Sequence, residues 1–190
     1  MGANFWGRSV DIDGQWLAVS SHWINTPNGE NRGGVVHLYS YTDTSFNGGK
    51  LQSIITNHDA TSANTDTRKD YDQYLFTKDH FGISVSLAGG RLAVGARKDD
   101  GQWSGDDDAG KAKGAVHLYT FDDDPATFSG LTHRGSIGHG YDTAAADMDL
   151  SLGTLANGDL VLDNDDQFGQ SVSLSLSDDG SARLAVGLRE

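Results

Sequence analysis

Along most of the chain, apolar and polar residues alternate in short runs, and the runs are separated by glycine and aspartate. Val85 and Leu87 alternate with Ser84 and Ser86, and Val172, Leu174 and Leu176 alternate with Ser171, Ser173 and Ser175. Successive side chains of a strand point to opposite sides, so this period of two predicts β-strands with one packed face and one serine face. Asp13-Gly14, Gly89-Gly90 and Asp179-Gly180 follow these runs, and such pairs suit tight hairpin turns whose central positions need positive φ. The return strands are Leu17-Ala18-Val19, Leu92-Ala93-Val94 and Leu184-Ala185-Val186; the third turn is the longest of the three and predicts a longer loop. A third strand is expected at 35–41 or 115–121 and a weaker fourth near 50–55 or 131–137. No convincing amphipathic helix is found, and 142–150 offers one helical turn at most. Segments 57–79 and 138–166 are long polar connectors. The second has leucines around Asn157-Gly158, which predicts an extra hairpin.

The same pattern recurs. Trp6-Gly7-Arg8-Ser9-Val10, Phe81-Gly82-Ile83-Ser84-Val85 and Phe168-Gly169-Gln170-Ser171-Val172 align, as do Gly34-Val35-Val36-His37-Leu38-Tyr39 and Gly114-Ala115-Val116-His117-Leu118-Tyr119. Phe46-Asn47-Gly48 and Phe128-Ser129-Gly130 form a third matched block. Blocks matching in fixed order mark a repeat protein. Unit 1 spans 1–80, unit 2 spans 81–167, and 168–190 is the first hairpin of a third, truncated unit. Three to four antiparallel strands per repeat describe a propeller blade, about two and a half of them in an incomplete ring.

Composition narrows the function. Glycine supplies 25 of 190 residues and proline two, as expected of a turn-rich β chain. Fourteen basic against 27 acidic residues give a net charge of −13, which argues against nucleic-acid binding and attraction to anionic membrane. The absence of cysteine excludes disulfides, thiolate metal sites and cysteine nucleophiles. No apolar run is long enough to insert in a bilayer as a helix, and no secretion signal is visible at the start, so either the protein stays inside the cell or the chain is an excerpt of something longer, the second being favoured by its open strand edges. Open strand edges at its ends predict self-association.

Phe-Gly-x-Ser-Val, then Leu-Ala-Val-Gly, then Gly-Ala-Val-x-Leu-Tyr resembles the FG-GAP repeat, the blade of the integrin α-chain propeller. The resemblance is closest to the tandem repeats of large secreted bacterial proteins of the adhesin or filamentous-haemagglutinin kind. It implies a β-propeller, an extracellular or cell-surface location, and binding of a glycan or protein rather than catalysis. It also implies a calcium loop, Asp-x-Asp-x-Asp-Gly-x-x-Asp, after the Val-Gly strand. Here Asp99, Asp100, Asp106 and Asp108 are the candidate calcium ligands, although their spacing departs from that motif. Calcium needs six to eight converging oxygens, and Asp106 with Asp108 supplies only part of such a cage.

Other constellations read as structural. Ser9, Ser84 and Ser171 recur at one position, whereas a catalytic serine is needed once. His37 and His117 likewise share one strand position. Asp79 and Asp166, each two residues before Phe-Gly, are expected to tie the loop to the next unit. Gly135–Gly140 lacks the Gly-Lys-Ser/Thr ending of a phosphate loop and reads as a turn, and Asp122-Asp123-Asp124-Pro125 reads as a charged turn. Trp16, Trp23 and Trp103 in or near loops, with Tyr71 and Tyr74 in a connector, are candidates for ligand contact, the alternative being that they cap the cores. A polysaccharide-active enzyme is the remote alternative, demoted by the lack of any polar cluster present in single copy.

Overall fold

The computed structural model describes residues 6–24, 33–56, 78–101, 112–141 and 162–189, and the backbone alone of 68–70 and 148–149. The described residues are all β. Unit 1 is a sheet of β1 (Val10–Asp13), β2 (Trp16–Ser21), β3 (Val35–Ser40), β4 (Lys50–Thr56) and β5 (Arg68–Asp70), side by side in chain order. Unit 2 repeats it with β6 (Phe81–Ala88), β7 (Arg91–Ala96), β8 (Ala115–Phe121), β9 (Leu131–Gly138) and β10 (Met148–Asp149). A hairpin of β11 (Ser171–Leu176) and β12 (Ala182–Gly187) follows. Within each five-stranded sheet the first four strands are antiparallel, and β5 and β10 add to the outer edge in parallel.

The register agrees with the repeat down to irregularities. Leu92 pairs with Tyr119 and Val94 with His117, as Leu17 pairs with Tyr39 and Val19 with His37. Both units bulge at one place, after Leu38 and after Leu118. The residue that each bulge inserts bonds back to the neighbouring strand: Gln52 Nε2 donates to Ser40 Oγ at 2.8 Å and Arg134 Nε to Thr120 Oγ1 at 2.9 Å. An extra residue tilts the strand and re-aims its side chains. Gly89 and Gly90 fill the β6–β7 turn with φ of 49° and 68°, the conformation of a two-residue hairpin that follows strand twist.

Some sequence expectations are corrected. The first turn is centred on Gly14-Gln15 rather than Asp13-Gly14, because Asp13 pairs with Trp16. Gly135–Gly138 are the end of β9, and Met148–Asp149 is extended rather than helical. β6 is buried on both faces, serines included, because β1 and β2 pack on one side and β11 on the other. The hairpin predicted around Asn157-Gly158 lies outside the described residues.

Two apolar layers hold the units together. Trp16, Ala18, Val36, Leu38 and Ile55 of unit 1 pack on Val85, Leu87, Leu92, Val94 and Tyr119 of unit 2. Ala93 and Val116, on the opposite face of unit 2, pack with Leu118, Ile137, Phe168, Val172, Leu184 and Val186. The Phe-Gly signature fastens each joint. Phe81 N–H donates to the Gly33 carbonyl and Phe168 N–H to the Lys113 carbonyl, beside parallel bridges Gly34–Phe81 and Gly114–Phe168. Gly34 and Gly114 have φ of 93° and 85°, and a Cβ on either would overlap the facing phenylalanine's carbonyl oxygen. Phe81, fully buried, adds about 1.5–3 kcal/mol.

The first strands meet edge to edge, and side chains rather than a backbone ladder join them. Ser9 Oγ accepts Val85 N–H at 3.1 Å, Asp11 Oδ2 accepts Leu87 N–H at 2.6 Å and Ser86 O–H at 3.0 Å, and Asp13 Oδ2 accepts Gly89 N–H at 2.6 Å. Ser86 Oγ in turn accepts Leu174 N–H at 3.0 Å, the bond equivalent to Leu87–Asp11 one unit on. Asp11→Ala should therefore cost about 1–3 kcal/mol in urea unfolding, because it leaves the Leu87 N–H without an acceptor. Asp11→Asn, which keeps a carbonyl oxygen there, should recover most of that loss; equal losses would refute the acceptor role.

Candidate functional site

Where the second strand of each unit runs out into its loop, two polar assemblies lie side by side. One is internal. Asp99, on the exit from β7, is 1% exposed. Its Oδ1 accepts Gly101 N–H at 2.8 Å, its Oδ2 accepts the Tyr141 hydroxyl at 2.7 Å, and its main-chain carbonyl accepts Gly114 N–H at 2.8 Å. His117 Nε2 faces Oδ2 at 3.4 Å, beyond good hydrogen-bond length, while its Nδ1 lies 2.8 Å from Ser136 Oγ. His133 Nε2 is 3.2 Å from the same hydroxyl. Serine, histidine and aspartate thus follow one another as in a hydrolase, but Ser136, His117 and Asp99 are all sealed from solvent. The assembly satisfies a buried carboxylate and pins the loop between β7 and β8. Burial, reinforced by the Asp99 charge, pushes the Tyr141 phenol well above its ordinary value of 10.

The other assembly reaches the surface. Trp23, half-buried just beyond β2, has its ring centroid 4.9 Å from that of His80 and 5.9 Å from that of His22. Arg97 Nε donates to His80 Nδ1 at 3.3 Å, and Arg97 Nη1 donates to Gln170 Oε1 at 3.2 Å. Residues of three successive units therefore meet here: Trp23 from the first, Arg97 from the second, Gln170 from the third. The turn before Phe81 carries left-handed residues, Lys78 at φ 73° and His80 at φ 57°, as does its counterpart at Asp165 and Gln167, with φ of 70° and 50°. Burial first, then the charges of Arg8 and Arg97, bring the His22 pKa down to about 4. Arg97 itself is lowered by burial and by Arg8 and Arg189.

A family profile described as FG-GAP repeat matches residues 76–119. Residues 76–119 are an FG-GAP repeat. No curated protein matches the chain. The match runs from the left-handed turn through β6 and β7 into β8, so it contains both Phe81-Gly82 and Asp99. Because unit 1 and the last hairpin repeat the strand order and pairing of the FG-GAP unit, the sheets are propeller-type blades, the architecture of a binding module. FG-GAP repeats are generally non-catalytic.

The FG-GAP context sorts the candidate residues. Trp16 is corrected: it is 2% exposed, its indole N–H donates to the Asp123 carbonyl at 2.8 Å, and its ring packs on Phe121 and Phe128. It caps the core between the blades because the β2 register turns it inward. Asp99 is turned inward as well, its Oδ1 accepting Gly101 N–H and its Oδ2 the Tyr141 hydroxyl. Asp100 is half-buried, and Asp106, Asp108, Trp103, Tyr71 and Tyr74 lie outside the described residues. Among the described residues, no group of three or more His, Cys, Asp or Glu could hold a metal ion. Trp23 alone of the described aromatic candidates stands in a surface cluster. The arginines around it were missed because they do not recur in identical form: Arg97 and Arg189 occupy one repeat position that in unit 1 is His22.

Two pH effects follow. An imidazole with a pKa of about 4 when folded and 6.5 when unfolded takes up a proton on unfolding. Its contribution is complete above pH 6.5 and lost as pH falls through 4. His22→Gln should flatten the fall in melting temperature between pH 7 and 4. Tyr141, raised in the fold, is lost as a stabiliser as pH rises past 10. Tyr141→Phe should remove that alkaline component while costing about 1–3 kcal/mol at neutral pH, read from urea unfolding.

Proposed function

We propose that this chain is a non-catalytic binding and adhesion module of a secreted bacterial surface protein, holding a glycan or protein ligand at the loop end of its blades. The observation that carries this reading is the convergence of Trp23, Arg97 and Gln170 from three successive blades at one surface point. The apolar cores do not need such a cluster, and a flat aromatic beside a guanidinium is a common contact pair. The extracellular use typical of FG-GAP repeats agrees with it. Among the described residues no helix is long and apolar enough to cross a membrane. On an array of glycans and cell-surface proteins, the chain should capture ligand, and Trp23→Ala should lose it while keeping the melting temperature. Retained capture by Trp23→Ala would refute the loop-end site.

A second reading, self-association, is favoured by two open apolar faces. Val10 and Ile12 are 55% and 47% exposed, whereas their counterparts Val85 and Leu87 are each 5% exposed against unit 1. On the far side, a groove of about 280 Å³ opens between Leu118, Ile137, Leu174 and Leu184. The face of one copy suits the groove of another, head to tail, and such a contact propagates rather than closes. Light scattering should give a mass that rises with concentration, and Val10→Glu with Ile12→Glu should abolish the rise. A wild-type chain monomeric at every concentration would end this reading.

A further inference from the structure

The loop-end cluster has a charge that the rest of the chain lacks. Against a net charge of −13, Arg8 and Arg189 flank Arg97: the Arg8 backbone N–H donates to the Ser20 carbonyl, two residues before His22, and Arg189 follows the Ser171–Gly187 pair beside Gln170, which the Arg97 side chain reaches, so that both charges act on Arg97. Arg8 and Arg189 are exposed. Among the described residues, no carboxylate forms an ion pair with any of the three. Arg97 is held in place by His80 and Gln170, which together engage two of its five N–H donors. Its remaining donors and the two exposed guanidinium groups make a surface where an anion would relieve mutual repulsion. Guanidinium groups bind carboxylate in a two-pronged fashion that a point charge cannot match.

The aromatic neighbour narrows the ligand further. His80 lies between Trp23 and Arg97, touching both, so the indole and the guanidinium flank a single buried support. An indole face carries negative quadrupole potential and accepts the polarised C–H groups of a rigid ring. A pyranose bearing a carboxylate presents both features, a flat C–H face and a charge on its rim, and loses little conformational freedom on docking. A flexible acidic peptide offers the charge without the face.

We propose that Arg8, Arg97 and Arg189, with Trp23, form a binding site for an acidic saccharide, the sugar ring on the indole and its carboxylate on the arginines. This rests on the reading of the chain as a ligand-binding module and names the ligand class of that same site.

The test is titration of the intact chain with oligomers of galacturonate, mannuronate and hyaluronan, each beside its carboxyl-reduced form, and with poly-glutamate. At least one acidic oligosaccharide should bind, about tenfold or more tighter than its carboxyl-reduced form, and more weakly as salt rises. Arg97→Gln and Arg8→Gln, the latter at an exposed position, should each weaken it severalfold, Trp23→Ala should weaken it as much, and Lys50→Gln, on another strand edge, should leave it unchanged. Equal binding of acidic and reduced forms, poly-glutamate binding as tightly, no binding by any acidic oligosaccharide, or indifference to both arginine variants would each overturn the proposal. A neutral glycan or a protein captured through Trp23 would overturn it too and leave the binding-module reading standing; no Trp23-dependent ligand of any kind would remove both.

Discussion

The constraint on which this architecture depends is the edge of each blade's first strand. That strand pairs with its own second strand on one side only, and its other row of N–H groups faces the neighbouring blade, too far round for a regular ladder. A buried N–H without an acceptor is costly, so the preceding blade supplies acceptors from side chains. Ser9, Asp11 and Asp13 receive the N–H groups of Val85, Leu87 and Gly89, and Ser86 receives that of Leu174. In β1, Ile12 N–H, the counterpart of Leu87, turns to the Oδ1 of Asp11 next to it. Alternate serines and aspartates are therefore the joints between sheets. A strand with an apolar face and a small polar face serves both the core of its own blade and the edge of the next.

The Phe-Gly pair performs a complementary task at the strand's start. Phenylalanine fills the space between sheets while its backbone N–H and C=O run close beside the glycine that opens the third strand of the blade before. Close approach requires a residue without Cβ, and positive φ aims its carbonyl. The ring also meets the strand histidine of its own blade: Phe81 lies 5.6 Å from His117, as Trp6 lies 4.4 Å from His37. Phe81 is buried because a blade precedes it, and Trp6 is 51% exposed.

The same logic separates the two polar assemblies at the loop end. Asp99, Tyr141, His117 and Ser136 are buried, and hydrogen bonds within the protein account for their geometry. Around Trp23 the side chains of Arg8, Arg97 and Arg189 are alike in charge and partly exposed, and among the described residues no carboxylate forms an ion pair with them. Internal satisfaction marks the first as scaffold. Like charge on a firm support sets the second apart as the proposed ligand site.

Period-two alternation, glycine pairs at turns and matched blocks determined the strands, their antiparallel order within a blade and the repeat itself, because each is a short-range property of neighbouring residues. The recurrence of Ser9, Ser84 and Ser171 also made their structural character legible. The parallel strands β5 and β10 carry no such signal, since their pairing depends on the connectors returning to the blade edge. Tertiary structure decided which way Trp16 and Asp99 point: both stand next to loops in the sequence, yet strand register and the closing of one blade on another turn them inward. It also brought Trp23, His80, Arg97 and Gln170 together, residues far apart in the chain that no local pattern connects, since only the stacking of successive sheets carries them to one place.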